Sequence, residues 1–70
     1  MTQKERVYKY MQDFGTITQA QAFYDLGVMR LSARIFELRE FGVPIKVELK
    51  AGKNRYGETV YFAEYSIKKD

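Results

Sequence analysis

A chain of 70 residues makes at most one domain, here 1–70, and a domain this small buries only about 60% of its unfolded surface, so every apolar side chain must be well used. Hydrophobic residues at 46% and aromatics at 16% fit a packed globule and exclude a disordered tail, while the absence of Cys and His excludes a disulfide framework, a thiol nucleophile, an imidazole base and a soft-metal site. The formal charge is +3, and its distribution says more than its sum: residues 1–29 carry three basic and three acidic side chains, so the whole surplus lies from Arg30 onward.

The charged opening Met1 to Arg6 leads into an amphipathic segment, from which neither a secretion signal nor a membrane span is expected, and a cytoplasmic location is. Val7, Tyr10, Met11 and Phe14 fall at i, i+3, i+4 and i+7, one face of a helix over about 3–14, and Gly15 ends it. Thr18 with Gln21 three residues on has capping-box spacing, which predicts a short second helix over about 18–26. Gly27 then permits a left-handed turn. A third helix is predicted over about 30–41, with Leu31, Ile35 and Leu38 as its buried stripe, Phe41 on the flank and Gly42 as the stop. After Val43-Pro44 the period changes to alternation. Strands are predicted near 45–50 and 59–67, joined by the turn-rich run Ala51 to Glu58. In the second strand Tyr61, Ala63, Tyr65 and Ile67 are read as facing the helices, although the run is apolar enough for the opposite register. Tyr10, Phe14, Phe23, Tyr61 and Tyr65 are assigned to the core or its edge.

The expected fold class is therefore α+β, three helices followed by a C-terminal antiparallel hairpin, which is the order of a winged helix-turn-helix domain. In that arrangement the first helix and the hairpin hold the third helix so that its outer side enters a DNA major groove about 12 Å wide. Arg30, Ala33 and Glu37 point away from the apolar stripe, Arg34 lies at its edge and can reach past it, and Ser32 fits either a phosphate donor or simply a small residue at the helix start. These five are the candidate recognition-helix contacts. At the hairpin tip Lys50, Lys53 and Arg55 precede the next acid, Glu58, with Asn54 and Tyr56 beside them, and these five form a candidate backbone contact. Tyr56 fits either a sugar-phosphate contact or a brace for the turn, and Phe36 fits packing under the hairpin, a thymine methyl or a second subunit.

The stretch Leu26-Gly27-Val28-Met29-Arg30-Leu31-Ser32-Ala33-Arg34-Ile35-Phe36-Glu37-Leu38-Arg39, with Lys53-Asn54-Arg55-Tyr56-Gly57, resembles a family of small helix-turn-helix proteins encoded by phages and prophages. The resemblance runs from Val7 to about Tyr65 and implies a winged helix fold and DNA binding. Members commonly carry a capping residue such as Thr where this chain has Met29, so the third helix forgoes an N-cap worth roughly 1 kcal/mol or starts elsewhere.

No catalytic arrangement is found. Asp13, Asp25, Glu37 and Glu40 have no nucleophile or metal-ligand partner at a recognisable spacing, so the chain is read as a non-enzyme without cofactor, metal or small-molecule substrate. The expected partner is double-stranded DNA, as a transcriptional regulator or recombination accessory, and a homodimer on DNA would enlarge the small footprint of one domain. The competing function is a protein-protein interaction module on the same fold, which an acidic or apolar third-helix face would favour; Arg30 and Arg34 favour DNA, and Glu37 does not.

Overall fold

A computed structural model describes residues 1–68. The element order is α1 (Gln3–Phe14), β1 (Thr16–Thr18), α2 (Gln19–Leu26), α3 (Leu31–Glu40), β2 (Ile45–Lys53) and β3 (Thr59–Ile67). The strands form one antiparallel sheet in the order β1-β3-β2, with the helices packed against one end of it.

Local chemistry sets most of the boundaries. Thr2 caps α1 by accepting the Glu5 N–H at 3.2 Å, while the Glu5 carboxylate accepts the Thr2 N–H at 2.9 Å. Thr18 and Gln21 form the same reciprocal box at the start of α2, as their spacing predicted. Gly27 closes α2 at φ 71°, ψ 25°, a left-handed conformation that is cheap for Gly alone, and its neighbour Val28 turns directly into the core.

The core comprises Val7 and Met11 of α1, Ile17 of β1, Ala22 of α2, Val28, the Leu31, Ile35 and Leu38 stripe of α3, and Ile45 of β2. Tyr65 and Ile67 of β3 pack against it, opposite Ile17 and Ile45 respectively. The predicted face of β3 thus meets the helices, but only over its C-terminal half. Tyr61 lies on the same face and is 70% exposed, because the hairpin runs on past the helices.

Two other aromatics assigned to the core or its edge lie outside the buried core. Phe14 is 70% exposed at the end of α1, its ring 4.7 Å from that of Tyr10, and Phe23 is 47% exposed with its ring edge-on to Tyr24. Both sit at the rim, where ring-ring contact replaces burial. Strand β1 was not expected at all: Thr16 to Thr18 pairs with Glu64 to Ser66 at the far end of the chain. Strand β2 is three residues longer than predicted, ending at Lys53 instead of Lys50. Gly52 in that extension marks a close approach instead of a turn, since a Cβ there would meet the Phe62 ring at 3.3 Å.

Candidate nucleic-acid interface

The first turn of α3 has no cap from its own neighbours. Arg30 occupies the N-cap position at φ −119°, ψ 70° with no side-chain hydrogen bond. The missing acceptor comes from α2: Gln19 Oε1 accepts the Leu31 N–H at 2.9 Å, and Gln19 Nε2 donates to the Val28 carbonyl, also at 2.9 Å. One amide therefore satisfies both ends of the chain between α2 and α3 and fixes the entry of α3. This answers the loss of a capping hydroxyl at Met29, which is 73% exposed.

The candidate residues of α3 divide into three groups. Arg30 is exposed and has no carboxylate partner among the described residues. Arg34 turns back toward α1: its Nε lies 2.8 Å from Glu37 Oε1, close enough for an ion pair though off line for a hydrogen bond. Its Nη1 donates to Gln3 Oε1 at 3.1 Å and its Nη2 to Glu37 Oε2 at 3.4 Å. Arg34 thus bridges α3 to α1, and Glu37, held by Arg34 within α3, is half-buried instead of pointing free into solvent. Ser32 is exposed and lines a cleft of about 300 Å³ between the starts of α2 and α3 and strand β3, with Gln19, Ala20, Phe62, Ala63 and Tyr65. Ala33 is half-buried, and Phe36, one turn beyond Ser32, is 61% exposed.

The wing also differs in detail from the sequence reading. Lys50 is not at the tip: it lies in β2 with its ammonium 3.2 Å from Glu48 and 3.8 Å from Glu64, so it is neutralised by acids other than Glu58. Glu48 hydrogen-bonds to Lys50, which holds its carboxyl below the usual glutamate value and raises the Lys50 ammonium above its own. The alternation of β2 puts Glu48 beside Lys50 on one face, and the β2-β3 register brings Glu64 opposite Glu48.

Asn54 builds the turn. Its Oδ1 accepts the Tyr56 and Glu58 N–H groups at 2.9 and 3.0 Å, and its Nδ2 donates to Glu58 Oε1 at 3.1 Å. Gly57 takes φ 78° in the same turn. Lys53 donates to Thr59 Oγ1 at 2.7 Å, a neutral partner that leaves its charge uncompensated, and Arg55 has no carboxylate partner among the described residues. The Tyr56 side chain does not brace the turn; the residue is 85% exposed.

The structure thus brings Arg30 and Ser32 to the start of α3 and leaves Lys53, Arg55 and Tyr56 projecting from the wing, while it engages Arg34, Glu37, Lys50 and Asn54 internally. Sequence reading missed Gln19 and Ala20 at the start of α2 and Phe62 in the cleft. For Gln19 no local signal exists, since its partners lie nine and twelve residues away.

Among the described residues no helix is long and apolar enough to cross a membrane. Comparison with curated proteins and with solved structures finds no match. A family model described as a winged helix-turn-helix domain matches residues 2–70, and the chain belongs to that family.

Proposed function

We propose that this protein binds double-stranded DNA, with the exposed start of α3 in the major groove and the β2-β3 wing along the sugar-phosphate backbone. The observation that carries this reading is the placement of uncompensated cations. Arg30 at the start of α3 and Lys53 and Arg55 at the wing have no acidic partner among the described residues, whereas Arg34 and Lys50 do. A cation already paired with a carboxylate contributes little to phosphate attraction, so of these five the first three contribute most to it. Ser32, in the first turn of α3, supplies a hydroxyl at the end where the helix dipole favours an anion. Arg34 reaches DNA only by giving up Gln3 and Glu37.

The role is that of a binding protein without catalytic chemistry or cofactor, acting in the cytoplasm. A phage or prophage setting, and action as a transcriptional regulator or recombination accessory, rest on the resemblance carried by residues 26–39 and 53–57. A second reading, a protein-protein interaction module, is favoured by the exposed Phe36 on α3 and the internal engagement of Arg34. Selection of bound sequences from a random duplex pool at controlled salt separates the two. Enrichment of a motif supports groove readout; no retention of duplex at low salt rejects DNA binding.

A further inference from the structure

Strand β2 is an edge strand, paired on one side with β3 and on the other with no element among the described residues. Which of its backbone groups face outward follows from two hydrogen bonds. Lys68 donates its N–H to the Pro44 carbonyl at 2.7 Å, and 44 opposite 68 continues the β2-β3 register, so even-numbered β2 residues aim their backbone groups at β3. The odd-numbered residues aim theirs outward, and Arg39 accordingly reaches the Ile45 carbonyl from outside at 3.0 Å. Past that capped position Val47, Leu49 and Ala51 present free N–H and C=O groups.

The side chains on this edge alternate in character. Lys46, Glu48 and Lys50 share one face of the sheet, and Val47, Leu49 and Ala51 the other, with Val47 49% and Leu49 75% exposed. An edge guarded against pairing typically carries charges that repel a copy of itself. Here the sign alternates, and that choice makes one self-pairing favourable.

The geometry points to a homodimer formed by antiparallel pairing of β2 with β2 of a second copy, centred on Leu49. In this register Leu49 faces its own copy, Val47 faces Ala51, and Glu48 faces Lys50 on both sides of the two-fold axis. Centring on Glu48 would set Glu48 against Glu48 and Lys46 against Lys50, like charges directly opposite. Centring on Val47 leaves only Val47 against itself and Ile45 against Leu49 as hydrogen-bonded pairs, and Arg39 already holds the Ile45 carbonyl; centring on Leu49 meets that obstacle only at its outermost pair, Ile45 against Lys53. The two-fold axis stands perpendicular to the sheet, so both helix layers lie on the same side of one six-stranded sheet. This inference does not rest on DNA binding, and its test contains no DNA.

The chain has no cysteine, which makes a single-cysteine scan clean. In the Leu49-centred dimer the two copies of the residue 49 α-carbon lie about 5.5 Å apart, within the disulfide range, whereas two copies of residue 48 lie about 8 Å apart and of residue 47 about 14 Å apart. Leu49→Cys should therefore oxidise to a covalent dimer at least about tenfold faster than Glu48→Cys or Val47→Cys. Analytical ultracentrifugation of the unmodified chain should give twice the 8.3 kDa monomer mass at about 0.5 mM. Leu49→Pro removes only an outward N–H, so it should sediment as a monomer with an unchanged circular dichroism spectrum. A monomeric unmodified chain at that concentration overturns the proposal. Faster cross-linking at 47 or 48 than at 49, or a folded Leu49→Pro protein that remains dimeric, also overturns it.

Discussion

The Gln19 side chain holds Leu31: its amide oxygen accepts the first N–H of α3 at 2.9 Å while its amide nitrogen donates to the Val28 carbonyl at the same distance. A helix start that local sequence leaves open is closed from the preceding helix, so the relative placement of α2 and α3 depends on one side chain. Gln19→Ala should destabilise the protein by about 1–2 kcal/mol, the range for a lost cap with a second polar group left unpaired, as read from urea unfolding. Gln19→Glu should not restore stability, because a carboxylate cannot donate to Val28. Full stability in either variant would show that water replaces the amide without loss.

Arg30 and Arg34 should behave differently although only one turn separates them. Arg34 ties α3 to Gln3 of α1 and to Glu37, so Arg34→Ala should lower stability by up to about 1 kcal/mol, discounted for its partial exposure. Arg30→Ala should leave stability within about 0.5 kcal/mol and weaken duplex binding by about 1–3 kcal/mol if the side chain reads a base. Paired urea melts and anisotropy titrations check both. A larger loss of DNA affinity from Arg34→Ala, with stability unchanged, would mean that Arg34 leaves its bridge on binding.

Much of the architecture was legible because it is written in short-range patterns. The capping box at Thr18 and Gln21, the left-handed Gly27, the buried stripe of Leu31, Ile35 and Leu38, and the switch to alternation after Pro44 each depend on neighbours a few residues apart. What was missed depends on partners far away in the chain. Three residues of β1 are too few to show a period, and they form a strand only because β3 arrives beside them. Lys50 looked free because Glu64, one of its two partners, lies fourteen positions later, and the other, Glu48, precedes it in the alternating run instead of following it toward the tip. Arg34 looked like a groove contact on a helical wheel, which carries no record of Gln3 on α1. Phe14, Phe23 and Tyr61, assigned to the core or its edge, lie outside the core because hydrophobicity alone does not say where a small core runs out.

Asn54 should govern the wing without touching the helices. Asn54→Ala removes the acceptor for the Tyr56 and Glu58 N–H groups and should cost about 1 kcal/mol or less, since both are near solvent. Hydrogen exchange should speed up at Tyr56 and Glu58 and stay unchanged in α1 and α3. Unchanged exchange at the turn would show that its backbone holds the shape alone.

Stability should fall on both sides of neutrality for separate reasons. The Tyr10 hydroxyl donates to Asp25 at 2.6 Å, which holds the phenol above its ordinary value. That contribution is complete below the ordinary tyrosine value, about 10, and is lost as pH rises through the higher folded value. Hydrogen bonds from the Thr2 backbone and hydroxyl hold Glu5 below the ordinary glutamate value, and Lys50 does the same for Glu48. Their contributions are present above about pH 4.3 and are lost as pH falls through the lower folded values. Urea midpoints measured against pH should show both limbs, and Tyr10→Phe should flatten the alkaline one. An alkaline limb unaltered in Tyr10→Phe would assign it to other groups.

The most direct test of the DNA reading is the salt dependence of duplex affinity for the unmodified chain and for the Lys53→Ala, Arg55→Ala double variant. Neutralising each phosphate contributes about 0.9 to the slope of log affinity against log salt, so loss of both wing cations should reduce that slope by about one to two units. The preferred sequence should stay the same, because these side chains address the backbone. A slope equal to that of the unmodified chain, in a double variant with an intact fold, would contradict a wing laid along DNA.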